Sequence, residues 1–231
     1  MKILIVSATE KEVTLFLQKT TQLKKTGVGI FEGNWGNLHV DFLITGVGLP
    51  STVYQLTRRL IMNSYNLVVN VGIAGAFPES ISIGSVVYVS SECFGDLGID
   101  NKGEFCTVFE MGFADKNEPP FSGGKIINKL DVNKYESISS LPRVNAITVN
   151  KGSGEENDIA KKWMKFQPDI ESMEGAGVFY VCQNLCIPFI EIRSVSNHVE
   201  ARNPKKWNIP LALVNLNEVL TKLIIELESQ S

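Results

Sequence analysis

The last third of the chain constrains its fold more than any other stretch, because strand-like and helix-like segments alternate there without a break. Val144–Val149 reads as a strand, Glu155–Phe166 as a helix, Asp169–Ser172 as a short strand and Gly175–Leu185 as a helix. Phe189–Val195 and Leu211–Leu227 then add one more strand and one more helix. Strands separated by helices pair in parallel, since a parallel connection needs a crossover long enough to hold a helix. The expectation is one α/β domain over residues 1–231, with a largely parallel sheet between two layers of helices.

The amino-terminal half fits the same plan. Lys2–Ser7 is rich in β-branched residues and alternates little, the pattern of a central strand buried on both faces. A helix follows over Thr9–Lys19, with Val13, Phe16 and Leu17 on one face; Thr9 suits the N-cap, and Glu12 three residues on completes a capping box. Gly27–Trp35 and Leu38–Ile44 read as antiparallel strands around a turn at Gly36-Asn37, Leu49–Met62 as a helix and Asn66–Val71 as a buried strand. Two of these strands end in glycine-rich turns, Gly46-Val47-Gly48 and Gly72-Ile73-Ala74-Gly75, which would let a ligand approach backbone N–H groups. The first is a poor dinucleotide fingerprint, because Ser51 stands where a third small glycine is required. Ser85–Ser90 is a further strand, Phe94–Phe113 an irregular segment able to cover a substrate, and Asn117–Gly124 a loop expected to form a mobile tip.

Composition removes several function classes. The 22 basic and 25 acidic residues leave a net charge of −3, so no global field favours nucleic acid or an anionic membrane. No apolar stretch approaches the roughly 20 residues of a spanning helix, and Met1–Val6 lacks the layout of a secretion signal, so the cytoplasm is the expected compartment. Cys93, Cys106, Cys182 and Cys186 are expected to be free thiols, with Cys182 and Cys186 packing as small hydrophobes on one helix face. Neither their spacing nor the two histidines, His39 and His198, suggests a metal site or a cysteine nucleophile.

The segment that points to chemistry is Glu171-Ser172-Met173-Glu174-Gly175-Ala176, where a carboxylate stands at a strand-to-helix junction. Such a carboxylate can accept hydrogen bonds from the vicinal hydroxyls of a ribose in a crevice at the strand ends. The alternative is a surface glutamate in the first turn of a helix, facing the positive end of the dipole.

Met1–Val13, Val71-Gly72-Ile73-Ala74-Gly75, the Met173-Glu174-Gly175 junction and Ile192-Arg193-Ser194-Val195-Ser196-Asn197 occur in an order that resembles the nucleoside phosphorylase and nucleosidase superfamily. Glu110-Met111-Gly112 and Ser196–Arg202 bring the likeness nearest to its futalosine hydrolases, and the resemblance spans nearly the whole chain. It implies a three-layer α/β/α sandwich around a Rossmann-like mixed sheet, hydrolysis of the N-ribosidic bond of futalosine with release of hypoxanthine for menaquinone biosynthesis, no cofactor and a homodimer. It also implies roles. Glu12 would activate water, Glu174 would grip the ribose diol with Met173 on the sugar face, and Gly48, Ala74 and Gly75 would wall the site. Asn197 stands where adenine-cleaving relatives typically carry an aspartate; an amide offers a donor and an acceptor to a 6-oxopurine but cannot protonate N7. Arg202 and Trp207, with Lys205 and Lys206, are candidates for the distal benzoate.

Other readings stay open at this stage. Glu12 has a structural role as a capping residue, and Asn197 as a cap after its strand. A methylthioadenosine or adenosylhomocysteine nucleosidase and a non-catalytic nucleoside-binding protein are the alternatives, and phosphorolysis is disfavoured because Ser7–Val13 holds no arginine. Arg193 reads as a structural donor.

Overall fold

The computed structural model describes residues 1–19, 22–77 and 79–230. In chain order the strands are β1 (Lys2–Ser7), β2 (Lys24–Gly27), β3 (Ile30–Trp35), β4 (Leu38–Ile44), β5 (Leu67–Ala76), β6 (Val86–Phe94), β7 (Gly98–Asn101), β8 (Glu104–Thr107), β9 (Ile126–Ile127), β10 (Arg143–Thr148), β11 (Ile170–Ser172) and β12 (Phe189–His198). The helices are α1 (Glu10–Leu17), α2 (Leu49–Met62), α3 (Glu136–Ser139), α4 (Glu156–Phe166), α5 (Gly175–Asn184) and α6 (Ile209–Ser229). The large sheet runs β11-β10-β6-β12-β5-β1-β4-β3-β2. Pairing is parallel at β4–β1–β5–β12 and at β6–β10–β11, and antiparallel at β6–β12 and through β2–β3–β4.

β1 is apolar on both sides because it is covered on both. Ile3 and Ile5 face a core built with Val13 and Phe16 of α1 and Leu216, Leu220 and Leu223 of α6. Leu4 and Val6 face the opposite core, with Leu56 of α2 and Val178 and Phe179 of α5. Each such side chain contributes about 1.5–3 kcal/mol by leaving water, so the two cores fix the three layers and with them the direction of every strand end.

The expected turn at Gly72–Gly75 is instead strand: β5 continues to Ala76 because β12 pairs it on one side while β11 meets Ile170↔Ala76 and Glu171↔Gly75 antiparallel on the other. Closing β11 onto β5 bends this half of the sheet into a ring, β5-β12-β6-β10-β11. β12 likewise runs past Val195, and a bulge between Val195 and Asn197 lets it reach His198. Three smaller differences follow from local packing. Gly29, at φ +68°, splits off β2 as a third antiparallel strand. The irregular 94–113 segment contains the β7–β8 hairpin. Phe121 anchors the 117–124 loop, meeting Phe94, Phe109 and Tyr180 at centroid distances of 6.3, 5.0 and 6.0 Å. Cys182 is buried in α5 as expected, but Cys186 lies beyond the helix end at φ +54° and is exposed.

Candidate active site

The parallel strands β1, β4, β5 and β12 point their carboxyl ends to one edge, the position where open α/β sheets bind ligands. β1 ends there at Ser7, β4 leads into Gly46–Gly48, and β5 and β12 bring Ile73–Gly75 and Asn197.

Glu12 reaches this edge from the first turn of α1 and is only 6% exposed. Its Oε2 accepts hydrogen bonds from Ser7 Oγ at 3.0 Å, the Thr9 N–H at 2.8 Å and Thr9 Oγ1 at 2.9 Å, and its Oε1 accepts from the Ile73 N–H at 3.2 Å. The carboxylate therefore bonds the N-cap backbone of its helix and also ties α1 to the ends of β1 and β5.

Glu174, 7% exposed, stands at the N-cap of α5 and accepts the Gly48 N–H at 2.9 Å. Gly48 holds a φ of +93°, open to glycine at little cost, so this turn directs an N–H at the carboxylate. Burial pushes the Glu174 carboxyl above the ordinary range, with Arg193 and the Gly48 N–H opposing and Glu12 and Glu191 adding to the rise.

Arg193 lies beside Glu174 and feels the charge of Glu12. It is fully buried on β12; its Nε donates to Glu191 Oε1 at 2.9 Å and its Nη1 lies 4.0 Å from Glu174 Oε2. A Cβ on Gly72 would strike Arg193 Nη1 and come within 3.0 Å of Glu12 Oε1, so this glycine leaves the room that both groups border. Burial alone would lower the pKa of Arg193, but Glu191, Glu174 and Glu12 outweigh it and raise it. Its Nη2 is buried without a partner among the described residues.

Asn197 sits beside Gly75 in the β5–β12 ladder, where a side chain at residue 75 would press on Asn197 Nδ2 and Val199. Ser196 Oγ donates to Asn197 Oδ1 at 2.8 Å and Asn197 Nδ2 donates to the His198 carbonyl at 2.9 Å, which orients the amide and leaves one N–H and one lone pair for a ligand. Ala74 is buried in β5, and Met173 is half-buried just before Glu174. Across Gly75 from Asn197, Glu171 accepts bonds from the Ser153 N–H at 2.7 Å and Ser153 Oγ at 2.5 Å, pinning the loop after β10.

Arg202 and Trp207 lie on the segment after β12. Their side chains stack, with the guanidinium 5.9 Å from the ring centroid, and the Arg202 N–H donates to the Gly154 carbonyl at 3.3 Å. Both are exposed. Neither lines an apolar cavity of about 940 Å³ that opens at Leu49 and Pro50 directly after Gly48 and runs between α2 and Phe94, Phe109 and Phe121.

Sequence reasoning passed over Ser7 and treated Arg193 as a structural donor only. The signal for Arg193 was Glu191-Ile192-Arg193, two opposite charges two residues apart on one face of an otherwise apolar strand, which a buried strand holds only as a pair.

A sequence profile described as "Phosphorylase superfamily" matches residues 2–225. A 5′-methylthioadenosine/S-adenosylhomocysteine nucleosidase of Maridesulfovibrio salexigens is 30% identical, covering 86% of this chain and 87% of its own length. Among solved structures, a nucleosidase of that name from Colwellia psychrerythraea in complex with adenine superposes with a TM-score of 0.83 at 22% identity, over 98% of this chain and 96% of its own. The futalosine hydrolase of Helicobacter pylori gives the same TM-score, 0.83, at 17% identity, over 98% of each chain. At these identities the two structures establish the fold.

Proposed function

This chain belongs to the phosphorylase superfamily, and on that premise we propose that it hydrolyses the N-ribosidic bond of a purine nucleoside, with futalosine as its substrate and hypoxanthine as the released base. The observation that carries the reading is the pair of buried carboxylates, Glu12 and Glu174, at one edge of the sheet, with Arg193 4.0 Å from Glu174 and across Gly72 from Glu12.

Cleavage of this bond builds positive charge on the sugar and negative charge on the base. Glu12, with four donors fixing its orientation, positions a water at the anomeric carbon and takes its proton, while its charge stabilises the sugar cation. The buried N–H of Arg193 without a partner is a second group able to hold that water. Glu174 keeps one oxygen on Gly48 and turns the other to the ribose hydroxyls, with Met173 against the sugar. Asn197 gives its remaining N–H to O6 and accepts from a protonated N7, which favours hypoxanthine as the leaving base. Two carboxylates against one arginine oppose an anionic nucleophile, which supports water over phosphate. The apolar cavity that begins beside Gly48 suits an aryl extension from the ribose, and Arg58 of α2, which lines it, is the cation placed to meet a carboxylate there, whereas Arg202 lies outside its lining. A homodimer is expected; Tyr54, Ile61 and Met62 expose apolar surface along α2 that a second copy would cover.

Relatives named as methylthioadenosine/adenosylhomocysteine nucleosidases favour a second substrate, with adenine leaving. The test is base release from futalosine, aminodeoxyfutalosine, methylthioadenosine and inosine, each with and without phosphate. Hypoxanthine from futalosine at a rate independent of phosphate is the expected result. Preference for an adenine nucleoside would support the second reading, and phosphate dependence or no release at all would overturn hydrolysis.

A further inference from the structure

Beneath the site lies a carboxylate that the reaction does not use. Glu92, on β6, is fully buried; its Oε2 accepts the Thr148 hydroxyl at 3.0 Å and its Oε1 has, among the described residues, no partner that an ionised carboxylate could accept from. Facing it is Glu191 on β12, also fully buried, whose Oε1 accepts from Arg193 Nε and whose Oε2 accepts from Asn70 Nδ2 at 2.7 Å. A Cβ on Gly175 would collide with the Oε1 atoms of both glutamates, so the two oxygens crowd one small space beneath the residue that follows Glu174.

Two ionised oxygens in such a space repel with little screening, whereas one proton between them makes a strong charge-assisted bond and satisfies every atom of the pair. We propose that Glu92 carries a proton which it donates to Glu191, and that this acid–carboxylate pair is the positioning element that aims Arg193 at Glu12 and Glu174. The inference rests on the hydrolytic reading for its purpose, though not for the proton itself.

The surroundings agree. Groups facing Glu92 are Glu191 and Arg193 from β12, Thr148 from β10 and Glu174 from the start of α5; burial and Glu191 push its carboxyl well above the ordinary range, and Arg193 and Thr148 only partly oppose this. Thr148 accepts the Ala176 N–H at 2.7 Å and gives its single hydroxyl hydrogen to Glu92 Oε2, which leaves it none for Oε1. With Glu92 neutral, Glu191 is free to spend its charge on Arg193. Gly175 then has a defined purpose in the Glu174-Gly175-Ala176 motif: it is the floor that admits both carboxyl groups.

Infrared spectroscopy of the intact protein at neutral pH tests the proton directly. A carboxylic acid C=O band that disappears in Glu92→Gln is expected, and its absence from the wild-type spectrum overturns the proposal even if the protein hydrolyses nucleosides. Conversely, the band persists if the substrate assignment fails. Glu92→Gln, which keeps a donor facing Glu191, is expected to hold kcat/KM within about threefold and to leave the pH–rate profile in place. Glu191→Gln removes the anchor of Arg193 and is expected to lower kcat on the order of a hundredfold, with the acid limb moving to lower pH because a negative neighbour of Glu174 is gone. An unchanged limb in Glu191→Gln, or a Glu92→Gln loss as large as that of Glu191→Gln, would show that the pair does not position Arg193.

Discussion

Asp41 and Glu174 are both buried carboxylates at this sheet, and their surroundings differ in kind. Asp41, in the middle of β4, receives Tyr65 Oη at 2.6 Å and Arg59 Nη2 at 2.7 Å, with Lys2 at 3.2 Å and His39 at 3.0 Å. Burial works against its charge, but the bonds from Tyr65, Arg59 and Lys2 outweigh burial and hold its carboxyl below the ordinary range. Glu174 has one backbone N–H and a share of one arginine that also serves Glu191 and adjoins Glu12, and its carboxyl is pushed up. The first cluster is balanced, because Arg59 also pairs with Glu32 at 2.6 Å and Lys2 adds a second cation beside Asp41, and it joins β1, β3, β4 and α2. The second has carboxylates to spare, at an edge where a ligand bearing positive charge in its transition state would restore the balance. Charge left uncompensated in a crevice is costly to fold and marks where binding or catalysis draws on it.

The comparison breaks if the two clusters respond alike to substitution. Glu12→Gln is expected to reduce kcat by about 10³-fold while substrate binding changes little, since a general base contributes roughly 10²–10⁴; equal losses in kcat and in affinity, measured by single-turnover kinetics and calorimetry, would remove its role as base. Asp41→Asn takes the buried charge from Lys2 and leaves Arg59 with Glu32 alone, and it is expected to cost about 3 kcal/mol in urea unfolding with kcat/KM held within about threefold. Asn197→Asp is expected to shift the ratio of hypoxanthine to adenine nucleoside turnover towards adenine by about tenfold, the worth of one buried polar mismatch; an unchanged ratio would end the argument from Asn197 to the leaving base.

The smallest effect is in pH dependence, and its sign separates the clusters. Asp41 sits below its ordinary 3.8 in the folded state, so its contribution is present above that value and is lost as pH falls through the lower folded value. Glu92 and Glu174 sit above their ordinary 4.5, so their contribution is complete below 4.5 and is lost as pH rises through the raised values. Asp41→Asn should therefore flatten the stability profile on the acid side and Glu92→Gln on the side above 4.5, both read from urea midpoints across pH.

Local pattern carried much of this. The bounds of β1 and α2 were legible because β1 is an unbroken apolar run and α2 keeps one helical period, and the strand-to-helix junction at Glu174 could be read from residue types alone. What depends on distant neighbours was not legible. Gly72–Gly75 looks like a turn in isolation and becomes strand only because β11 and β12 flank it, 94 or more residues further along. Glu92 and Glu191 are far apart in the chain, and the antiparallel β6–β12 contact inside a mostly parallel sheet brings them together. Arg193 could be read as a structural donor, but its place across Gly72 from Glu12 depends on the room that this glycine leaves.

Glu174→Gln tests the contrast most directly, with base release and thermal unfolding recorded on the same sample at pH 8. The amide can keep its oxygen on the Gly48 N–H while shedding a charge that burial disfavours, so turnover should fall by on the order of a hundredfold and Tm should hold or rise. A Tm that drops along with the rate would mean that Glu174 is a structural partner of Arg193, as Asp41 is of Arg59, and that the surplus of carboxylates at this edge is not a reaction centre.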